Sequence, residues 1–498
     1  MRRPLAALTF IFPIGTILAA TLAGSQLLAQ PKHGAASHPA QAQGASSSDK
    51  IARGKYLTAL GDCVACHTVK NGASFAGGRP IQTPFGTLLS ANITPDQKTG
   101  IGDWTSEQFY RALHEGIDDD GDHLYPAFPY NYYTRVTRAD SDAIFAYLRT
   151  LRPVHNPLQR NQLPFPFRMR WLMAVWNWLF LDKGEYKPDA SKSAAWNRGA
   201  YLVNGLGHCG ACHTPMNILG APKNSQFLQG GTFGNWFAPD LTPNRRTGLG
   251  SWSRQAVIEF LKTGRNPHAA AAAEMGEVVA FSTSKATTAD LKAIAVYLED
   301  QKPSPEASPA APDAQQMRKG EAIFIDSCSA CHRMHGEGVP RFFPPLRGDA
   351  NLQQKNPTTT LNFILAGVQS TPTDARPTPF SMPAYAWKLN DGQIAAVETF
   401  IRNSWGNRAS AVSASDVADA RKKIVKAGSQ YSKPENRGSL RHPTPETFAP
   451  PNTDSRDNGT AKAGRIVPGG PPSASGSGAE NGGTSHKQPG GRSTGGPG

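Results

Sequence analysis

Apolar and polar residues alternate along this chain in blocks of one recurring order. A helix-like apolar stretch comes first, a loop region rich in Gly and Pro follows, and a second helical stretch closes the block. Arg53-Gly54-Lys55-Tyr56-Leu57 opens the first block and Arg198-Gly199-Ala200-Tyr201-Leu202 the second. Lys319-Gly320-Glu321-Ala322-Ile323-Phe324 opens the third. The closing stretches are Ser141–Leu151, Ala289–Leu298 and Asp391–Asn403, with Ala, Ile, Val, Tyr and Leu at helical spacing. Between them, Asn92-Ile93-Thr94-Pro95 and Thr99-Gly100-Ile101-Gly102-Asp103-Trp104 reappear as Asp240-Leu241-Thr242-Pro243 and Thr247-Gly248-Leu249-Gly250-Ser251-Trp252. Strand signals are scarce, so the pattern predicts an all-α chain of three tandem units, 50–155, 195–302 and 316–408. Each is of ordinary domain size, with its first and last helices packed together.

The connecting segments differ. Residues 303–315 read as a short Pro/Ala linker. Residues 156–194 carry an aromatic helix, Trp171 to Phe180, preceded by Arg168 and Arg170. It reads either as buried between the first two units or as a surface for membrane or partner contact. Residues 1–30 place Met1-Arg2-Arg3 before an apolar run to about Leu28. That is an export signal or a retained anchor, and in either case the remainder is exported. Residues 409–498 read as a mostly disordered tail, Gly-, Ser- and Pro-rich after about residue 430.

Composition narrows the class. Formal net charge is +14. A basic balance suits nucleic acid, anionic lipid or an acidic protein. Without a Lys/Arg block or a nucleic-acid motif, the last two are the expected partners, and nucleic acid is not.

Six cysteines in an exported chain ordinarily predict disulfides. Here they fall as Cys63/Cys66, Cys209/Cys212 and Cys328/Cys331, and His67, His213 and His332 follow at once. Cys-x-x-Cys-His is the attachment signal for c-type haem. Two thiols on one helical turn reach both vinyl groups, and the next residue turns its imidazole to the iron. Thioredoxin-like chemistry would use a single pair in a βαβ setting, and zinc would need motifs close together in the chain. Three covalently bound haems c are therefore expected, with His67, His213 and His332 as axial ligands.

The opposite axial ligand sets potential and reactivity. It should come from the loop region before each closing helix. Met382, in Ser381-Met382-Pro383-Ala384-Tyr385, occupies that slot in the third unit, and Met275 occupies it in the second. Met216 and Met334 lie too near their own histidines to cross the haem. The first unit has Phe128 in the slot, within Leu124-Tyr125-Pro126-Ala127-Phe128-Pro129-Tyr130. Phenylalanine cannot bind iron. Haem 1 is then five-coordinate, or takes His114, His123, Met169 or Met173. An open haem 1 acting on peroxide or a small gas is the alternative to electron transfer.

These motifs, with Thr83-Pro84-Phe85-Gly86, Phe343-Pro344-Pro345-Leu346 and Asn403-Ser404-Trp405-Gly406-Asn407, resemble the triple-haem cytochrome c subunits of membrane-bound bacterial dehydrogenases. The resemblance spans roughly residues 50–410. It implies three class I cytochrome c-like domains with no catalytic residues of their own. It also implies a periplasmic location at the outer face of the cytoplasmic membrane. Electrons would pass from a quinoprotein, flavoprotein or molybdenum hydroxylase subunit to ubiquinone or a terminal oxidase. The family pattern places methionine ligands at Met275 and Met382 and usually has methionine where Phe128 stands. The Pro126-Ala127-Phe128-Pro129-Tyr130 version looks similar to cytochrome subunits paired with molybdenum hydroxylases.

Overall fold

A computed structural model describes residues 46–426. The expected signal or anchor at 1–30 and most of the expected tail lie outside the described residues. The tail's first part is ordered: Ala414–Lys426 is a helix with Val417 and Ala420 buried against the closing helix of the third segment.

Three helix pairs organise the chain. Ser47–Leu60 packs on Arg138–Leu148, Ala194–Tyr201 on Thr288–Glu299, and Ala314–Ser327 on Asp391–Asn403. Each of the six begins at a polar residue whose side chain accepts the backbone N–H three positions on. These caps are Ser46, Thr137, Ser193, Thr287, Asp313 and Asn390. Such caps satisfy amides that have no partner within the helix. Thr137 starts the first closing helix ahead of the predicted Ser141.

A glycine sets each crossing. A Cβ on Gly54 would lie 1.8 Å from Ala143 O, on Gly199 2.0 Å from Ala293 O, and on Gly320 2.2 Å from Ala396 O. The helices meet so closely that only a hydrogen fits. This is the physical content of the repeated Arg/Lys-Gly pair in the sequence.

The first two segments share one core, in which Leu57, Leu60, Ile144 and Leu148 pack with Tyr201, Leu202, Leu206 and Leu291. Their polar contacts are reciprocal. Arg53 Nε donates to Asp140 at 2.7 Å, and Arg198 Nε to Asp290 at 2.7 Å. Across the junction, Tyr201 OH donates to Asp140 and Tyr56 OH to Asp290, each at 2.6 Å. Burial opposes ionisation of Asp290, but the hydrogen bonds from Arg198 and Tyr56 outweigh it and hold the carboxyl below its ordinary range. The third segment has its own core around Phe324, Leu361, Ile394 and Val397. The 303–315 linker is strapped to the second segment, where Ser304 N–H donates to Thr242 Oγ1 at 3.0 Å.

The all-α expectation needs correction. The loop regions contain three two-stranded antiparallel ladders: Pro80–Thr83 with Gly86–Leu89, Gln229–Phe233 with Trp236–Asp240, and Val368–Gln369 with Ser381–Met382. They pair backbone groups that would otherwise go unsatisfied beside the core. At two to five residues they are too short to leave an alternating pattern in the sequence. Among the described residues no helix is long and apolar enough to cross a membrane.

Candidate functional site: three Cys-x-x-Cys-His centres

Each Cys-x-x-Cys-His run forms one short helical turn directly after a leading helix: Cys63–Cys66, Gly210–His213 and Ser329–His332. In the second segment the leading helix widens to a π stretch, Leu202–Leu206, before the turn. Asp62 and His208 precede the first cysteine of their motifs in left-handed conformations, φ 53° and 37°. These kinks swing the turn away from the leading helix.

All three histidines are locked in the same way. His67 Nδ1 lies 2.7 Å from Ala91 O, His213 Nδ1 2.6 Å from Pro239 O, and His332 Nδ1 3.1 Å from Pro344 O. A carbonyl only accepts, so Nδ1 carries the proton and Nε2 is left with its lone pair. Burial pushes all three imidazoles below their ordinary pKa and keeps them neutral. A neutral ring oriented through its other nitrogen is the state a metal-ligating histidine needs. Sequence reasoning missed the locking carbonyls. Their signal was present, because Ala91 and Pro239 immediately precede the repeated Asn/Asp-x-Thr-Pro.

The six cysteines are unpaired. Burial pushes Cys63, Cys66 and Cys212 up to about 12, and Cys209 and Cys328 up to about 11. These five thiols are uncharged, unlike the thiolates that hold zinc. Cys63, Cys209, Cys212 and Cys328 are partly buried, whereas Cys331 is exposed. It stands on the open side of the Ser329–His332 turn, held by its backbone N–H donating to Cys328 O at 3.3 Å. Cys66 also reaches the surface, but the charged side chains of Arg79, Glu274 and Glu277 crowd it.

Cys209, Cys212 and His213 open onto a deep apolar cavity walled by Trp236, Phe237, Leu241 and Trp252, with Met275 also on its lining. Met275 sits on the Ala273–Phe281 helix. Asp349, Asn351 and Phe363 of the third segment close one side, and burial pushes the Asp349 carboxyl up to about 6. Met382 and Cys328 share the third core, as Phe128 and Cys63 share the first. Neutral oriented imidazoles, paired thiols on one turn and an apolar wall fit a covalently held haem.

The candidate substitutes for Phe128 differ in their surroundings. His114 Nε2 is 2.6 Å from Val136 O and its ring stacks on Tyr110 at 3.9 Å, so it is committed to the fold. His123 Nδ1 lies 3.4 Å from Asn177 Nδ2. Met173 packs in the cluster that contains Phe128 and Leu124. Met169 is half-buried in the segment leading to the aromatic helix.

A half-buried charge cluster, invisible in the sequence, joins the first motif to the second segment. Arg79 Nη1 donates to Ala65 O at 2.6 Å, between the first two cysteines. Its Nη2 lies 2.8 Å from Glu277 and 3.8 Å from Glu274, the carboxylates that flank Met275. Burial and the Glu277 charge push Glu274 up to about 7. Asp62 Oδ1 is buried beside them without a partner, and burial raises this carboxyl well above the usual range.

The family profile described as cytochrome c matches residues 51–152 and 317–405. With the geometry above, this defines a c-type cytochrome, which binds haem c covalently. The chain is 39% identical to the gluconate 2-dehydrogenase cytochrome c subunit of Pantoea cypripedii over 394 residues, 75% of this chain and 89% of that one. It is 40% identical to the cytochrome c subunit of the quinone alcohol dehydrogenase of Gluconacetobacter polyoxogenes, covering 74% and 84%. It is 37% identical to the fructose dehydrogenase cytochrome subunit of Gluconobacter japonicus, over 82% of this chain and 88% of that one. The chain belongs to the cytochrome c subunits of dehydrogenases. Its activity is electron transfer and it is not itself a catalytic subunit. These relatives leave the peroxide or small-gas reading without support.

Proposed function

We propose that the chain holds three haems c and relays electrons from a periplasmic dehydrogenase to ubiquinone or a terminal oxidase. Haem c supplies reversible one-electron chemistry at its iron. Cys63/Cys66, Cys209/Cys212 and Cys328/Cys331 would hold the three groups as thioethers. His67, His213 and His332 would bond the irons through Nε2. Met275 and Met382 would complete two of the sites, and a thioether there favours the reduced iron. Phe128 leaves the first site without a methionine in its slot.

The observation that carries this reading is the threefold repetition of one lock: two thiols on a single turn, then an imidazole whose Nδ1 proton is held by a backbone carbonyl. Arg79 and the carboxylates around it bind the first motif to the helix of Met275, which supports direct passage between those two sites.

The partner in this reading is the catalytic subunit of a dehydrogenase: a quinoprotein, a flavoprotein or a molybdenum hydroxylase. The chain works at the outer face of the cytoplasmic membrane and contacts the membrane surface. Three class I cytochrome c-like domains, 50–155, 195–302 and 316–408, carry one haem each. Intact-mass and haemochrome analysis of the mature protein tests the count. Three haems per chain are expected, falling to two in Cys328→Ser/Cys331→Ser. A wild-type count of two overturns the reading.

A further inference from the structure

The Leu172–Phe180 helix is apolar on two opposite faces, and only one of them is used. Its inner face is seated: Met173, Trp176 and Phe180 pack with Tyr130 and Ala221, and Trp176 Nε1 donates to Leu219 O at 3.0 Å. A surface helix ordinarily turns polar residues outward. Here Trp171, Val175, Trp178 and Leu179 face out, with Trp171 61% and Trp178 83% exposed.

The exposed surface continues into neighbouring loops. Phe165 and Ile218 are 70% and 93% exposed. Phe167 packs at a tilt against Phe85, ring centroids 5.0 Å apart, and Gly220, beside Leu219, sits against Phe85. An apolar surface gathered from three separate segments marks an interaction site.

Charge selects the occupant. Residues 156–181 contain no Asp or Glu but do contain Arg160, Arg168 and Arg170. Arg170 is spent on Asp118 and Asp122. Arg160, Arg168 and Lys223 are exposed and lie outside the ion pairs among the described residues. Asp118, Asp122 and Asp182 nearby are paired with Arg170 and Arg135, and aromatic residues with Arg160, Arg168 and Lys223 at the rim suit the headgroup and upper acyl region of an anionic bilayer. Nine residues of helix span about 14 Å, against about 30 Å of hydrocarbon, so this element lies in the interface and does not cross.

We propose that the outer face of the Leu172–Phe180 helix, with the Phe165 and Ile218 loops, seats the cytochrome on anionic phospholipid. This rests on the membrane-surface reading above and assigns the residues that make the contact. It brings the cores of the first two segments to the membrane side of the assembly, because the helix is anchored on Tyr130 and beside the second motif's loop.

The test uses mature holoprotein and vesicles of phosphatidylethanolamine with phosphatidylglycerol, or of phosphatidylcholine alone. Hydroxyl-radical labelling, resolved by residue with mass spectrometry, reads the contact directly even if another segment also anchors the chain. Labelling of Trp171 and Trp178 should fall severalfold with the anionic vesicles. It should recover in Trp171→Ser/Trp178→Ser for the neighbouring Phe165 and Ile218. In flotation followed by haem absorbance, Arg160→Gln/Arg168→Gln should bind on the order of tenfold more weakly and lose salt dependence. Undiminished labelling of both tryptophans while the holoprotein floats overturns this assignment and leaves the membrane-surface reading standing. Failure of the wild type to float overturns both. Protection of the two tryptophans by the purified dehydrogenase subunit, and not by vesicles, assigns the face to a protein and also overturns it.

Discussion

Replacing Gly320 with alanine should destabilise the third segment, although helix propensity alone predicts the reverse. In an unobstructed helix interior, Gly to Ala gains up to about 1 kcal/mol. At position 320 the added Cβ would sit 2.2 Å from Ala396 O, 2.6 Å from Phe400 Cβ and 2.8 Å from the Ala396 carbonyl carbon. An ordinary carbon–oxygen contact is roughly 1 Å longer, as real van der Waals separations require. The nearest obstacle is backbone, so no side-chain rotation relieves it. The Ala314–Ser327 and Asp391–Asn403 helices must move apart. That loosens Phe324 against Phe400, whose rings are 5.6 Å apart, and the buried Ile394 and Val397. Overpacking of this kind costs about 1–3 kcal/mol, and more against rigid groups. Set against the propensity gain, the net loss should be about 1–2 kcal/mol. Urea unfolding of the holoprotein, followed by far-ultraviolet dichroism and haem absorbance, measures it. Gly392→Ala in the partner helix is the control, since its Cβ would meet only Asn390 Oδ1 at 3.5 Å. That variant should be neutral or slightly more stable. If Gly320→Ala unfolds at the wild-type urea concentration or above, the close-crossing argument is wrong for all three helix pairs.

Other outcomes follow from single side chains. Met382→Ala should lower the midpoint potential of one haem and leave the others in place, as spectroelectrochemical titration would show. Tyr201→Phe removes a buried hydrogen bond to Asp140, the partner of Arg53, and should cost about 1.5–3 kcal/mol in urea unfolding. Glu398 is fully buried beside Thr360 and Arg402, and burial, only partly offset by Arg402, pushes its carboxyl up to about 6. A raised carboxyl favours the protonated folded state. Its stabilising contribution is complete below the unfolded value near pH 4.5 and is lost as pH rises through about 6, a span of about 2 kcal/mol. Glu398→Gln should flatten urea midpoints across that window, and an unchanged slope would assign the pH dependence to other groups.

Much of this protein was written in local sequence. The three Cys-x-x-Cys-His runs need only consecutive residues on one helical turn, so covalent chemistry within a few positions was legible at once. The helix pairs were legible too, because apolar periodicity and a capping residue are local properties; the Asp391–Asn403 boundaries came out as predicted. The Arg-Gly-x-Tyr-Leu repeat could be seen, but its purpose could not. Gly54 and Gly199 are required by the carbonyls of Ala143 and Ala293, far along the chain, and Tyr56 and Tyr201 serve aspartates in the opposite segment. The short ladders escaped notice because so few residues carry no period.

Tertiary structure alone decided the rest. Long-range packing chose which carbonyl fixes each imidazole, put Arg79 between the first motif and the Met275 helix, and fused the first two cores while leaving the third its own. Packing also decided which side of the aromatic linker helix is covered, burying Trp176 and leaving Trp171 and Trp178 outside. Burial and electrostatics depend on which distant residues become neighbours, and a list of residue types along the chain does not contain that information.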